Sequence, residues 1–416
     1  MKVALVHDYL REYGGAERVV ETLHEMWPDA PLYTSFVDWP SFARAPAGKV
    51  ELFKSWDIRT SWVQHHWFIK KFISPLRFLA PWIWGSFDLS GYDVVISSSG
   101  WFMCRGVKVR ESSVVSRQLS DPSTSLGTGR KTVHVCYIHH PPRNLYGYAT
   151  GSDLQKYWIV RVYAAVVNFF LRHYDWETAQ KVDYFVANSK ETARRVTKFY
   201  RRESTVIYPP IEVNPKSQAP NSKQIPSTKF QVHKKEYYLS VGRLTYSKRV
   251  DLAIAACAKL GLPLKIVGTG KEEESLKKLA SQGQALQSKN LGNVEFLGSV
   301  SDEKLGRLYA GAKALIFCAL DEDFGMVPVE AMAHGTPVIA LAQGGIVETV
   351  IDGKTGILFD TPTVESLVGA LGRFGPASRE KLGRNWENQC RAQAEKFGKE
   401  RFKKELRDFV EAHLHR

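Results

Sequence analysis

No run of 18 apolar residues occurs in this 416-residue chain, so the sequence offers no ordinary membrane-spanning helix. The opening MKVALVHDYL has the pattern of a strand rather than of a secretory leader. Cysteine is scarce. Cys104, Cys136, Cys257, Cys318 and Cys390 are scattered, odd in number and free of Cys-x-x-Cys spacing. That excludes a disulfide framework or a thiolate zinc site and points to a reducing, cytoplasmic setting. A complete dinucleotide fingerprint is missing as well: the glycine pair Gly268 and Gly270 stands without its third member. No nucleic-acid-binding signature appears in the sequence.

What the chain does contain is enough apolar residue for two cores. At 416 residues it exceeds what one hydrophobic core serves, and its 44% hydrophobic content is ordinary for a globular protein. Its formal net charge is +14. Some of that excess lies in 54–84, where Lys54, Arg59, Lys70, Lys71 and Arg77 face Asp57 alone. Trp56, Trp62, Trp67, Trp82 and Trp84 interleave with them, a composition suited to the interface of an anionic membrane and also to nucleic acid. Tyr157–Leu171 is a second apolar stretch, too short to span a bilayer and interrupted by Arg161, and is expected to be a core helix.

The most informative stretch is Asp321–Gly335, DEDFGMVPVEAMAHG. It follows an apolar strand pattern at 314–319. Pro328 suits a first helical turn and Gly335 a helix end. Strand, acidic loop and helix in that order place Glu322 and Glu330 at the carboxyl end of a strand, where open α/β sheets bind ligands. The amides of Gly325, Met326 and Val327 would meet an anion at the helix start. A ligand with hydroxyls at both ends and phosphate between fits, and a nucleotide sugar is such a ligand. An acidic turn that only complements the helix dipole is the plainer alternative.

Upstream, the strand pattern Tyr237–Val241 ends at Gly242 and is followed by Arg243 and Lys248, a candidate diphosphate clamp or a solvated basic loop. Strands alternate with helices over 237–357, which predicts a parallel, doubly wound domain. In the first half, Val3–Val6 leads to His7, Asp8 and the glycine pair Gly14 and Gly15 opening a helix. Val133–Ile138 leads to His139 and His140 before two prolines. A plain turn and a buried structural histidine stay open as alternatives there.

The blocks GRLTYSK, IVGTG, VEFLGSV, EDFGMVPVEAMAHGTPVIA and GGIVETVIDGKTGILF resemble the donor half of family 4 glycosyltransferases. HDYL with GGAERV, VISSS, HVCYIHHPPR, VDYFVANSKETARRV and VIYPP resemble the acceptor half, in the branch that builds O-antigens and exopolysaccharides and includes mannosyltransferases. The resemblance implies the GT-B fold: two Rossmann-like parallel-sheet domains of α/β class facing a cleft, with a C-terminal helix returning to the first. The expected division is 1–210, a linker at 211–236, a donor domain at 237–395 and the terminal helix at 396–416. Inserts at Glu111–Arg130 and Lys216–Lys229 are too polar to order themselves, and are read as a loop extension and part of the linker.

Carried onto this sequence, the resemblance puts Arg243 and Lys248 on the diphosphate, Glu322 on sugar hydroxyls and Glu330 on the ribose. Phe324, Gly325, Met326 and Val327 complete that loop, with Gly242 and Gly268 on neighbouring turns and the base against backbone near Gly298. Gly14 and Gly15 approach the donor phosphate, and His139, or its neighbour His140, contacts the sugar. It implies a retaining transfer without metal or cofactor, same-face attack, and GDP-mannose or a UDP-sugar as donor. The acceptor would be lipid-linked or an oligosaccharide. Asp321 and Asp323 form an Asp-x-Asp, read as part of the acidic loop rather than a metal pair. A nucleotide-sugar epimerase, a sugar phosphorylase and a catalytically silent sensor are the other readings.

Overall fold

Near-continuous apolar strand runs, laid side by side in parallel, carry the molecule's two sheets. The computed structural model describes residues 1–43, 48–110, 131–151, 156–212, 236–285, 294–375 and 386–414. The inserts Glu111–Arg130 and Lys216–Lys229 lie outside the described residues. Two compact units result: 1–147 with 159–208 and 403–416, and 148–158 with 209–402. Residues 148–158 thus group with the second unit, although the sequence places them inside 1–210.

The first unit is built on β1 (Val3–His7), β2 (Leu32–Thr34), β3 (Ile58–Thr60), β4 (Val94–Ser99), β5 (Val133–Ile138), β6 (Tyr184–Ala187) and β7 (Ser204–Val206). They pair in the order β3-β2-β1-β4-β5-β6-β7, all parallel. Every residue of β1 and β4 is buried, because helices cover both faces. The main helices are α1 (Gly15–Met26), α2 (Trp158–Lys181) and α3 (Lys190–Tyr200). Ser189 caps α3 by accepting from the Thr192 amide at 3.0 Å.

The second unit has β8 (Tyr237–Val241), β9 (Leu264–Val267), β10 (Val294–Gly298), β11 (Ala312–Phe317), β12 (Val338–Leu341) and β13 (Gly356–Phe359), in the parallel order β10-β9-β8-β11-β12-β13. Strand β11 begins and ends two residues before the span read from sequence. Its main helices are α4 (Val250–Leu260), α5 (Glu273–Ala285), α6 (Asp302–Gly311), α7 (Met326–Ala333), α8 (Val364–Arg373) and α9 (Trp386–Glu395). Their apolar faces meet the sheet through Leu252, Ile254, Ile316, Ile339, Phe359 and Trp386, among others.

The terminal helix expected over 396–416 begins at Lys399, after a break at Gly398 that separates it from α9, and is α10 (Lys399–Leu414). Ile211 donates its amide to the Phe397 carbonyl at 3.0 Å, so the chain enters and leaves the second unit side by side. In the first unit α10 buries Leu406 and Val410, its Phe409 and His413 meet Tyr184, and Lys403 pairs with Glu25 at 2.9 Å.

One expectation fails in the first unit. Helix α2 is not a core helix along its whole girth: Ile159, Val162, Val166, Phe169 and Phe170 are exposed while Asn168, Leu171 and Asp175 are buried. The 54–84 tryptophans divide between core and surface. Trp84 is fully buried and donates to the Phe102 carbonyl at 2.6 Å, and Trp56 stacks on His24 at 3.9 Å. No helix among the described residues is long and apolar enough to cross a membrane.

Under the first sheet lies a buried ionic cluster. Arg105 and Asp175 form an ion pair, both side chains sealed from solvent. Tyr146 donates to Asp175 at 2.7 Å, and Arg105 donates to the Tyr200 hydroxyl at 3.1 Å and to the Ser99 hydroxyl at 3.4 Å. Burial lowers the Arg105 pKa, but the charge and hydrogen bond of Asp175, together with Tyr200 and Cys136, reverse this to a net rise. Removing one partner strands the other charge. Asp175→Ala is therefore expected to cost the first unit about 3–5 kcal/mol in urea unfolding, and Arg105→Met with Asp175→Leu to recover part of that loss. Equal losses in both variants would show that packing, not stranded charge, sets the cost.

Candidate functional site

In the second sheet, winding reverses between β8 and β11, which lie side by side. Loops leaving their carboxyl ends part there and open the crevice in which doubly wound sheets take ligands. After β8 the chain passes Gly242 and exposed Arg243 into a single turn at Tyr246–Lys248. After β11 it passes Asp321 and Glu322 to Gly325, where α7 starts. The Leu320 amide donates to the Ser247 carbonyl at 2.8 Å and ties the two loops together.

Across this point Lys248 Nζ donates to Glu322 Oε2 at 2.6 Å, with side chains 22% and 16% exposed. The same ammonium sits 5.3 Å from the Phe317 ring centroid. The cation and the carboxylate assigned from sequence to two parts of one ligand are thus held together as one partly buried pair. A diphosphate would compete with Glu322 for Lys248, since phosphate oxygens accept charge-assisted bonds as a carboxylate does.

The acidic loop is braced by its neighbours. Asp321 adopts a left-handed φ of 51°. Its carboxylate accepts from the Ala149 amide at 2.9 Å and from Gln343 Nε2 at 3.2 Å, and its own amide donates to Gln343 Oε1 at 3.3 Å. Asp323 is buried. Phe324, named from sequence as a donor contact, is buried against Phe397 with ring centroids 5.4 Å apart, so its side chain anchors the loop and only its backbone can face a ligand.

Gly325 caps α7 at φ 87°, a conformation that suits glycine. The first-turn amides, those of Met326 and Val327 among them, have no intrahelical acceptor. Glu330 lies one turn further on and accepts from Tyr309 at 3.2 Å. At the far end Gly335 (φ 77°) donates to the Met332 carbonyl at 2.8 Å and Thr336 to that of Ala331 at 3.0 Å, a Schellman ending.

The remaining glycines bring loop backbones into contact. The Gly268 amide donates to the Gly298 carbonyl at 2.8 Å, and a Cβ on Gly268 would sit 1.9 Å from the Gly242 carbonyl oxygen. Gly242, Gly268 and Gly298 therefore close one edge of the crevice by main-chain packing.

The first unit repeats the arrangement, with its winding reversal between β1 and β4. Asp8 caps the turn after β4, accepting from the amides of Gly100 at 3.0 Å, Phe102 at 3.1 Å and Cys104 at 3.1 Å. His7 is buried between the Ser98 carbonyl, 3.2 Å from Nδ1, and Glu17, 3.3 Å from Nε2. Burial lowers its pKa, but the Glu17 hydrogen bond and charge, with Asp8, reverse this to a net rise. The Gly14 amide is committed to Glu17 Oε2 at 2.8 Å, which leaves Gly15, exposed at the first position of α1, as the glycine that can approach an anion.

His139 has Nε2 on the Ser98 hydroxyl at 2.7 Å and its amide on the Ser99 carbonyl at 2.9 Å. The His140 ring has Nδ1 3.0 Å from the Pro141 carbonyl. Both are half-buried at the carboxyl end of β5. Sequence reasoning missed Tyr309 and Gln343, which lack any local motif. Glu17 was findable, since it stands three residues after Gly14 in capping-box register.

Gly344 gives a test of how tightly the acidic loop is held. A Cβ there would lie 2.0 Å from the Glu322 carbonyl oxygen at φ 63°, whereas Gly353 has a similar φ of 71° and nothing within 4 Å. Gly353→Ala is expected to cost about 1–2 kcal/mol in backbone strain. Gly344→Ala should cost about 1–3 kcal/mol more in urea unfolding, through overpacking against the loop. Equal costs would mean the loop yields freely.

Residues 222–390 match the family model of glycosyl transferases group 1. A D-inositol 3-phosphate glycosyltransferase of Mycobacteroides abscessus is 27% identical over 203 residues, 48% of this chain and 45% of that protein. A glycogen synthase of Thermus thermophilus is 34% identical over 170 residues, 38% of this chain and 37% of that protein. The chain thus spans less than half the length of these two relatives. The alpha-1,3/1,6-mannosyltransferase ALG2 of Dictyostelium discoideum is 27% identical over 321 residues, 70% and 72% of the two chains. Among solved structures, Anabaena Alr3699/HepE in complex with UDP-glucose superposes over 99% of this chain and all of that one, with a TM-score of 0.66 at 18% identity. The group 1 match falls within the second unit, and the chain's two parallel-sheet units have the GT-B fold.

Proposed function

We propose that the chain is a retaining, metal-independent glycosyltransferase that moves a hexose from a nucleoside-diphosphate sugar to a lipid-linked or polysaccharide acceptor in cell-surface glycan assembly. The observation that carries this reading is the Lys248–Glu322 pair at the winding reversal of the second sheet, beside the amino end of α7. A nucleoside-diphosphate sugar presents anionic phosphates between two hydroxyl-bearing ends. Lys248 and Arg243 take the phosphates, Glu322 the sugar hydroxyls and Glu330 the ribose. In the first unit, Gly15 is the proposed phosphate neighbour and His139 the proposed sugar contact.

As the glycosidic bond breaks, its electron pair passes to the diphosphate. Arg243, Lys248 and the first-turn amides of α7 are fixed donors aimed at that growing charge. In this reading they do what a divalent ion does in other enzymes. The engagement of Asp321 with Ala149 and Gln343 supports treating the Asp-x-Asp as loop structure. GDP-mannose is the donor favoured by branch resemblance and by the mannosyltransferase relative, with a UDP-hexose, the ligand type named for HepE, as the other candidate. The setting is the cytoplasmic face of a membrane, with anionic lipid contact through 54–84.

Incubating the protein with a panel of nucleotide sugars and a chelator, with and without polyprenyl-linked acceptor, tests the whole assignment through nucleoside diphosphate release. Release from one donor, raised by acceptor and indifferent to chelator, is expected. Glu322→Ala should lower turnover by a factor on the order of 100 with only modest loss of nucleotide affinity, and Lys248→Ala should weaken both. Full activity in either variant sinks the site. Tight donor binding without turnover would make the chain a nucleotide-sugar sensor instead.

A further inference from the structure

The outward stripe of α2 is the largest feature of the first unit that the candidate site does not use. Ile159, Val162, Val166, Phe169 and Phe170 recur along one face and are 64%, 56%, 56%, 65% and 67% exposed. Singly exposed apolar residues are normal on any protein, but an unbroken row of this kind marks an interaction surface.

The row does not stand alone. Arg77 donates to Asn168 at 2.8 Å, its guanidinium lies over the Tyr163 ring at 5.6 Å, and Tyr163 donates to the Pro75 carbonyl. These bonds pin the short segment 67–82 onto the same helix. That segment adds exposed Trp67, Phe68, Phe72, Phe78 and Trp82. Lys70, Lys71, Arg161 and Arg172 border the combined area, while the nearby Asp175 is sealed inside with Arg105 and Glu177 pairs with His173 at 3.2 Å.

We infer that α2 and segment 67–82 form one docking surface for an anionic lipid bilayer, with α2 lying in the interface plane. This rests on the membrane contact proposed above for 54–84, and moves its main apolar element to a helix outside that segment. Three features select this occupant. Tryptophans beside lysines and arginines, over an aliphatic and phenylalanine row, match the layered interface of an anionic leaflet. A second copy of the same surface would bring like charges face to face. Ile159, Val162 and Val166 have no ring on which a nucleic acid base could stack.

The test is co-sedimentation of the full chain with phosphatidylcholine vesicles, with and without phosphatidylglycerol. The wild type should sediment with the anionic vesicles and less with the neutral ones. Phe169→Ser with Phe170→Ser should weaken that binding by at least about tenfold, as should Trp67→Ser with Trp82→Ser. Lys71→Gln with Arg161→Gln should erase the preference for phosphatidylglycerol while leaving residual neutral binding. All changed side chains are exposed, and circular dichroism checks that each variant is folded. Wild-type binding by the folded phenylalanine variant overturns the proposal. So does a change from dimer to monomer in that variant with vesicle binding unaltered, which would make the stripe a self-interface. Donor turnover without acceptor, measured on the same proteins, separates the two claims. Vesicle binding that follows the stripe in a chain inert toward every donor would keep the surface and discard the transferase.

Discussion

Parallel strand pairing is the constraint on which the rest of this molecule depends. Because all strands of a sheet run one way, every loop leaving a carboxyl end emerges on the same edge. Where the winding reverses, between β1 and β4 and between β8 and β11, two such loops leave for opposite faces. The candidate groups of the second unit gather at its reversal, where loops far apart in sequence meet through the Leu320 amide and the Ser247 carbonyl.

Holding those loops is a task for backbone packing more than for side chains. Gly268 touches the Gly242 carbonyl, Gly344 touches that of Glu322, and Gly345 donates its amide to Glu322 at 2.8 Å. Any side chain at these glycines would push the main chain apart. The polar groups then act on a fixed frame: Asp321 is tied by Gln343 and Ala149, Glu330 by Tyr309, and Glu322 by Lys248. Preorganised groups of this kind lose little on meeting a charged ligand, because their orientation is already set. In the first unit Asp8 performs the equivalent service by gathering three amides of the turn after β4.

The two charged clusters of the first unit obey different physics. Arg105 and Asp175 are fully buried, so their pairing is compulsory and their exchange with solvent is closed. The cations around α2 and segment 67–82 are at the surface, where they are screened and worth little to stability. Their value lies in long-range attraction toward an opposite charge. The apolar row between them is kept at the surface because the other face of α2 is already occupied by Asn168, Leu171 and Asp175.

Local pattern by itself determined much of this protein. Apolar runs ending in glycine located the strands, the Pro328 and Gly335 positions bounded α7, and the spacing of Glu322 and Glu330 marked the acidic loop. Each signal is written in neighbouring residues, because strand burial, helix capping and turn geometry act over a few positions. Only the tertiary structure decided which way Trp84 and α2 face, since one helix or strand pattern fits a core and a docking surface equally well. It also decided that Lys248 meets Glu322 across 74 intervening steps, that Tyr309 holds Glu330, and that Phe324 is core. Those facts depend on which strands become neighbours, and strand order is set by the packing of the whole sheet rather than by any segment of it.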